Sequence, residues 1–250
     1  KVESGGELGG RSLNLTGGYS TNLGGAVYLL SGAANIADSI ISNNFATKHG
    51  GGIHVGDDAN ALLKLTNTTF LRNSAGECGG AIHIYKGDSI ITNSGFRNNN
   101  AVIGGGALYV YGRGDSGMSA DNSAQVNVTK TLFYGNRQTT STLVRSGGGA
   151  IHAVAAAIIV AKECNFGNNT ANENHGHHIM SHEYPSQGKP SFTLTNNVFP
   201  SPGSPSDFYE YNGEWGSGSV VTFSSTHSCY ATPTQCQDNG YSDANACVDK

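Results

Sequence analysis

The sequence predicts an all-β protein, a right-handed parallel β-helix of about six or seven coils with a cysteine-containing C-terminal tail. Two short motifs recur in fixed phase, and the residues around them alternate with the period of two that is typical of strands. Glycine accounts for 36 of the 250 residues and proline for only 6. The excess of glycine therefore indicates neither collagen nor a proline-rich linker.

The first motif consists of two glycines, a small residue, an aliphatic residue and a histidine or tyrosine. Its copies begin at Gly24, Gly50, Gly79, Gly105 and Gly148, and a degenerate sixth copy begins at Gly176. These starting points are 26, 29, 26, 43 and 28 residues apart. Repeats at this spacing predict a solenoid in which each unit forms one coil.

The second motif is an aromatic residue followed three positions later by an asparagine. The pairs are Phe70 and Asn73, Phe96 and Asn99, Phe133 and Asn136, Phe166 and Asn169, with Ile41 and Asn44 as a variant. We expect each coil to hold two or three short strands, with the rings stacked inside and the asparagine amides bridging successive coils. The glycine pairs would supply the positive φ angles that sharp corners between sheets require.

The solenoid is expected to occupy residues 1–226, with an irregular capping segment at 200–218. Loop insertions at about 112–125 and 138–146 account for the 43-residue interval. Residues 227–250 form a polar tail, and its cysteines are candidates for disulfide bonding: Cys229, Cys236 and Cys247. Cysteines clustered in such a tail indicate an oxidising compartment, and hence an extracellular or cell-surface location.

Charge and hydropathy exclude two classes of partner. The chain has 14 basic and 18 acidic side chains and a net charge of -4, whereas a nucleic-acid surface needs a basic stripe. No apolar run reaches the roughly 18 residues of a membrane span, so we expect no membrane-spanning helix. The first residue is a lysine, which suggests a processed or excised chain.

The Gly-Gly-Ala-Ile and Phe-x-x-Asn motifs together resemble the repeats of polymorphic outer membrane proteins, which are bacterial surface adhesins, and those of similar eukaryotic secreted proteins. The resemblance covers roughly residues 14–199. It implies a β-helix that is displayed outside the cell and has an adhesive or structural role. A fold of this kind does not by itself specify a function.

Strand alternation places the last residue of the first motif on the outer face of the coil. The resulting ladder contains Tyr28, His54, His83, Tyr109 and His152, beside a column of small residues, Ala26, Gly52, Ala81, Ala107 and Ala150. Rings beside a shallow trough could contact a neighbouring molecule or bind a glycan. Two other interpretations stay open: the rings simply favour exposed strands and stack on each other, or they carry catalysis.

Other candidate sites are weaker. We expect no cofactor, and Asp57, Asp58 and Asp88 are only weak candidates for binding Ca²⁺ because turn residues are usually solvated. His177 and His178 fall on the degenerate sixth repeat, which favours a structural role over metal binding. Sequons that permit N-glycosylation occur at Asn14, Asn67, Asn127 and Asn168.

These observations predict an extracellular structural or adhesive protein that assembles with itself, or with other surface proteins, into a coat or filament. The alternatives are a polysaccharide lyase or epimerase, and a passive glycan-binding module, each using the outward ladder. A polyuronate enzyme needs a Lys or Arg beside its base to neutralise the substrate carboxylate. Apart from Lys86, the strands of His54 and His83 carry none.

Overall fold

The structure is a computed structural model, which describes residues 1–2, 6–56, 60–112, 124–140, 146–172, 176–182, 187–199, 208–211 and 220–223. These residues form a parallel β-solenoid of about six turns, which confirms the predicted fold class. Within these ranges no helix is long and apolar enough to cross a membrane.

A complete coil contains four strands, one in each of four parallel sheets, rather than the expected two or three. Sheet 1 contains β1 (Glu7–Arg11), β5 (Ala33–Ala37), β9 (Leu62–Thr66), β13 (Asp88–Thr92), β17 (Gln125–Thr129), β21 (Ile158–Lys162), β24 (Ser191–Thr195) and β26 (Val220–Phe223). Sheet 2 contains β2 (Asn14–Thr16), β6 (Ile40–Ser42), β10 (Thr69–Leu71), β14 (Gly95–Arg97), β18 (Leu132–Tyr134) and β22 (Asn165–Gly167).

Sheet 3 contains β3 (Tyr19–Ser20), β7 (Phe45–Ala46), β11 (Ser74–Ala75), β15 (Asn100–Ala101) and β19 (Arg137–Gln138). Sheet 4 contains β4 (Val27–Leu29), β8 (Ile53–Val55), β12 (Ile82–Ile84), β16 (Leu108–Gly112), β20 (Ile151–Ala155), β23 (Ile179–His182) and β25 (Phe208–Tyr211). The strands of sheets 2 and 3 are only two or three residues long. Runs this short show no periodicity in a sequence, which is why the number of strands in each coil was underestimated.

The corners between sheets are built from residues with positive φ. The first glycine of each pair has this conformation, as at Gly79 with φ of 69°. The corners that follow sheets 1 and 2 use mostly asparagine and other non-glycine residues, for example Asn67 (φ 49°) and Asn98 (φ 54°). Asparagine tolerates the left-handed region better than most residues, and it occupies six of the twelve non-glycine positions with positive φ among the described residues.

The core contains the predicted stack of phenylalanine rings. Phe70, Phe96, Phe133 and Phe166 lie in successive coils with centroids 4.9, 5.0 and 4.9 Å apart, and all are buried. Phe199 continues the stack over Phe166 at 4.7 Å. Because successive coils pair in register, residues at the same position of the repeat stack directly on each other through the core.

The asparagine of the second motif forms the predicted ladder between coils. The side-chain Nδ2 of Asn73 donates to Asn99 Oδ1 (3.0 Å), and that of Asn99 donates to Asn136 Oδ1 (2.9 Å). The backbone N–H of Asn73 also donates to Asn99 Oδ1 (3.0 Å), and Asn73 Nδ2 also donates to the carbonyl oxygen of Ile41 (2.8 Å). A buried amide with its partners satisfied in this way stabilises one coil against the next.

The column of small residues is not beside an outer trough, as the sequence suggested. Ala81, Ala107 and Ala150 are fully buried in the hydrophobic core, and a Cβ on Gly52 would lie 3.3 Å from the ring of Phe70. The chain turns at the glycine pair, so the small residue and the aliphatic residue after it both face inward. Strict alternation begins only with the strand of sheet 4.

Several predictions on chain organisation concern residues outside the described ranges. They include most of the insertion at 112–125, residues 141–145 of the insertion at 138–146, and the whole of the tail at 227–250 with Cys229, Cys236 and Cys247. Within the segment 200–218, strand β25 pairs with β23. The domain boundaries and the tail disulfide stay predictions.

Candidate functional site

The five ladder residues lie next to each other on sheet 4. Tyr28, His54, His83, Tyr109 and His152 are in register on β4, β8, β12, β16 and β20. Their neighbours along the strands, such as Ile53 and Val55, are in the hydrophobic core, as alternation requires. The expected exposure is wrong for the histidines, because His54 and His83 are each 3% exposed and His152 is 1% exposed, whereas Tyr28 and Tyr109 are half-buried.

The middle of the ladder is a stack of parallel rings. His54 and His83 have centroids 4.8 Å apart and planes at 9°, and His83 and Tyr109 are 5.1 Å apart at the same angle. At the two ends the geometry changes, because Tyr28 meets His54 at 71° and His152 meets Tyr109 at 73°. The stack therefore has a flat segment over three coils with an edge-on ring at each end.

A column of corner residues packs along one side of the ladder and explains its burial. The residue before each glycine pair pairs with its equivalent in the next coil, as Leu23 does with His49 and His49 with Cys78. The ring of His49 stacks on His83 at 4.5 Å and lies 6.4 Å from His54. The repeat pattern did not identify His49 and Cys78 as site residues, although both directly precede the first motif.

A second column, two positions beyond the ladder, forms the other wall. Tyr85 and Tyr111 stack with centroids 5.2 Å apart and planes at 5°. The hydroxyl of Tyr111 donates a hydrogen bond to Oε1 of Gln187, so the wall is attached to a segment from a later coil.

The two walls flank a half-open pocket with a volume of about 280 Å³, which we name the His/Tyr cavity. Its lining consists of Leu23, His49, His54, Cys78, His83, Tyr85, Tyr109 and Tyr111. None of these described lining residues is a lysine or arginine. Glu77 lies beside the cavity, with Oε2 3.4 Å from His49 Nε2.

Burial keeps the imidazoles of the cavity neutral. It lowers the pKa of His54 to about 3, with a smaller contribution from the neighbouring His49. The pKa of His83 lies well below its ordinary value for the same reason, and His54 and His49 lower it further. The pKa of His49 is also lowered by burial, although Glu77 opposes the shift. Burial raises the pKa of the Cys78 thiol, which therefore stays protonated.

Three nitrogens of the cavity lack hydrogen-bond partners. The Nδ1 atoms of His49, His54 and His83 are buried and have no partner among the described residues. Buried polar side-chain atoms are normally hydrogen-bonded. Ser89 Oγ and both ring nitrogens of His152 also lack partners among the described residues, so this feature is not confined to the cavity. Stacked parallel rings cannot converge on one ion, and the described part of the chain contains no group of three or more His, Cys, Asp or Glu arranged to hold a metal.

The other candidate residues are placed as follows. Asp88 is exposed at the start of β13, and its neighbours in register are Leu62 and Gln125, so no second carboxylate lies beside it there. Asp57 and Asp58 lie outside the described residues. Asn14, Asn67 and Asn168 are exposed and Asn127 is half-buried, and glycosylation at these sequons stays a prediction.

The sixth repeat replaces a small core residue with a histidine. His178 occupies the position of Ala150 in the previous coil and is 2% exposed. Its Nδ1 lies 3.1 Å from Nδ2 of Asn169, where the asparagine ladder ends. His177 instead accepts a hydrogen bond on Nδ1 from the backbone N–H of Ala171 (3.0 Å). The two side chains therefore have separate partners within the fold.

One exposed feature was not predicted from the sequence. Tyr19 on β3 and Phe45 on β7 are in register, and their rings stack at 5.6 Å while being 67% and 36% exposed. Both lie in two-residue strands, where no alternation could identify an outward position.

The fold, the two ladders and the repeated corners define a solenoid repeat protein. Two stretches of the chain, residues 38–56 and 67–85, match the Chlamydia polymorphic membrane protein repeat. These two stretches of the chain are therefore similar to a repeat of a family that is associated with the outer membrane and the cell surface. No curated protein and no solved structure matches the chain significantly. The matched stretches contain His54 and His83, so the centre of the cavity is built by the repeat itself.

Proposed function

We propose that this chain is an extracellular part of a surface protein that acts by contact, through adhesion or through assembly into a coat or filament. The family of the repeat supports the surface location. The ring stack and the asparagine ladder make the solenoid a stiff support, on which side chains of the outer face keep fixed spacing.

The observation that carries the proposal is the exposed pair of Tyr19 and Phe45. Large aromatic side chains on a surface are enriched at the energetic centres of protein interfaces, because they bury much area with little loss of side-chain freedom. A pair stacked at 5.6 Å is pre-ordered for such a contact. The buried ladder on sheet 4 is less suited to this role, since His54 and His83 present almost no surface to a neighbouring molecule.

The enzyme alternative finds less support in the cavity. A lyase or epimerase acting on a polyuronate needs a cationic side chain beside its base, and none lines the described walls. A histidine whose pKa is about 3, as for His54, is also a weak base at neutral pH.

The test compares the wild-type protein with the double variant Tyr19→Ser and Phe45→Ser. We expect purified wild-type protein to form filaments or lateral arrays in electron micrographs, or to attach to cells when displayed on a surface. The double variant should lose about tenfold in assembly or attachment, with its melting temperature nearly unchanged because both rings are exposed. The control is Ile90→Ser, which removes an exposed apolar side chain (40%) from sheet 1.

A wild-type protein that stays monomeric at high concentration and does not attach to cells would overturn the proposal. A double variant that assembles and attaches as well as the wild type would show that Tyr19 and Phe45 do not form the contact surface.

A further inference from the structure

We infer that the coil containing β23 and β24, which we name the β23–β24 coil, is an acid-released segment that detaches from β20 and β21 in mildly acidic solution. This property goes beyond the proposed function and is independent of the Tyr19 and Phe45 surface. It follows from the geometry of His178, from the burial of His152 beside His182, and from the small number of strand pairings that hold this coil.

His178 makes a hydrogen bond that requires an unprotonated ring nitrogen. Asn169 Oδ1 accepts hydrogen bonds from the backbone N–H and from Nδ2 of Asn136 (3.0 and 2.9 Å), so Asn169 Nδ2 is the atom that faces His178. An amide Nδ2 can only donate, and His178 Nδ1, 3.1 Å away, therefore accepts. A proton on this nitrogen would place two donors against each other inside the fold.

The hydrophobic core surrounds the ring of His178. Its centroid lies 6.0 Å from that of Phe166 and 5.9 Å from that of Phe199, and the residue is 2% exposed. A charged imidazole at this position would lose its hydration, which is costly. Burial lowers the pKa of His178 to about 4, and the neighbouring His177 lowers it further. Protonation of His178 therefore favours movement of its coil away from the core.

His152 and His182 form a second buried contact across the same joint. In the pairing of β20 with β23, His152 is opposite Met180 and Val154 is opposite His182. The two histidine rings are 6.1 Å apart, and each residue is 1% exposed. Both ring nitrogens of His152 lack hydrogen-bond partners among the described residues, so an imidazolium would bury two unsatisfied donors. Burial lowers the pKa of His152, and His182 lowers it further.

The groups around these histidines do not compensate a positive charge. The titratable groups nearest to the rings are Tyr109 and His182 for His152, and His177 for His178. Of the two strands paired with β23, β20 contains no acidic residue, and β25 contains Glu210, which is in register with Ser181, and Tyr211, which is in register with His182. A proton taken up in the closed coil is therefore met by neutral groups or by another imidazole.

The β23–β24 coil is attached to the preceding coil by fewer strands than the middle coils are. Among the described residues it pairs with the preceding coil through β23, through β24 and through a single bridge from Val198 to Asn165. A middle coil, such as that of β9 to β12, pairs through strands of all four sheets. Stability in a solenoid is approximately the sum of such contacts between neighbours, so this coil opens at lower cost.

Opening of the coil allows His152 and His178 to take up protons. A histidine in an open segment titrates near pH 6.5, so at pH 5.5 each of the two favours the open state by about tenfold. Together they favour opening by about 100-fold relative to pH 7.5. The opened solenoid presents the unpaired edges of β20 and β21.

The experiment is pulsed hydrogen exchange of the intact chain at pH 7.5 and pH 5.5, read by mass spectrometry of its peptides. Pulse lengths are adjusted so that unprotected amides exchange to the same extent at both pH values. We expect the amides of β23 and β24 to lose about 100-fold in protection at pH 5.5. The amides of β9 and β13, in the middle of sheet 1, should stay protected throughout both pulses.

Two variants connect the response to the histidines. The double variant His152→Phe and His178→Gln keeps a ring at the first position and an acceptor for Asn169 at the second, and neither new side chain titrates. Its loss of protection in β23 and β24 should shrink to less than about threefold. The control His54→Phe removes a buried histidine from a middle coil and should leave the 100-fold response in place.

Equal protection of β23 and β24 at the two pH values would overturn the inference. Simultaneous loss of protection in β9 and β13 would also overturn it, because the whole solenoid would then open together. So would a double variant that keeps the full response to pH. If the double variant does not fold at pH 7.5, the single variant His178→Gln decides, and its response should fall to about tenfold.

Discussion

The rings of His54 and His83 lie face to face, with centroids 4.8 Å apart and planes at 9°. Each of the two side chains is only 3% exposed. Each side chain comes from a different coil and each is neutral in the folded protein. Two buried imidazoles in contact cannot both become charged without repelling each other. The pair therefore couples the stability of the fold to pH.

We expect the protein to lose stability as the pH falls below 6.5. In the unfolded chain a histidine takes up a proton near 6.5, whereas folded His54 does so only near 3. Between these values the unfolded state binds more protons, so acidification favours unfolding. The loss is up to about 1.4 kcal/mol per pH unit for each such histidine. Urea denaturation at pH 7 and pH 5 measures it.

The variant His83→Phe checks that prediction. Phenylalanine keeps a flat ring in the stack but does not titrate, so the difference in unfolding free energy between pH 7 and pH 5 should become smaller. His177→Gln is the control, because His177 is only partly buried and should contribute less. An unchanged pH dependence in His83→Phe would contradict the assignment.

Phe96→Ala should destabilise the protein by about 3 to 5 kcal/mol. Phe96 is fully buried, and its ring stacks between Phe70 at 4.9 Å and Phe133 at 5.0 Å, so truncation leaves a cavity in the middle of the core. Thermal or urea denaturation measures the loss. Ile90→Ala, at an exposed position of sheet 1, is the control and should cost well under about 1 kcal/mol.

Asn99→Ala should cost about 3 kcal/mol, despite the small change in apolar area. The substitution removes Asn99 Oδ1, which accepts hydrogen bonds from the backbone N–H and from Nδ2 of Asn73 (both 3.0 Å). It also removes Asn99 Nδ2, which donates to Asn136 Oδ1 (2.9 Å), and all of these hydrogen bonds are buried. Asn100→Ala, one residue along, removes a long hydrogen bond to Ser74 (3.4 Å) at a partly exposed site and should cost about 0.5 kcal/mol. If the two variants lose the same unfolding free energy, the buried asparagine ladder does not stabilise the fold more than an ordinary side-chain hydrogen bond at the surface.

The sequence alone predicted those features that depend on the repeat. Phe96 and Asn99 recur at a fixed distance from the glycine pair, so their stacking followed from superposing the coils. The burial of His54 did not follow, because it depends on His49 and Cys78, whose side chains differ from coil to coil. The exposed ring of Tyr19 was also missed, since a two-residue strand has no pattern that indicates which side faces solvent.

Glycines in this sequence differ sharply in whether they can be replaced. A Cβ on Gly80 would lie 2.2 Å from the carbonyl oxygen of Gly106 and 2.5 Å from that of Asn100, both backbone atoms of the next coil. Neither atom can move without opening the contact between coils, so we expect Gly80→Ala to cost at least about 3 kcal/mol. A Cβ on Gly95, in β14, meets nothing within 4 Å.

Gly95→Ala is therefore the matched control for Gly80→Ala. Its backbone has no positive φ, so alanine is compatible with the strand and should stabilise the protein by about 0.4–1 kcal/mol through the unfolded state. Urea denaturation and the yield of soluble protein compare the two variants. If Gly80→Ala folds with the stability of the wild type, the coils are not in close contact at this corner. If it fails to fold while Gly95→Ala is at least as stable as the wild type, the second glycine of the motif is required by the approach of the next coil.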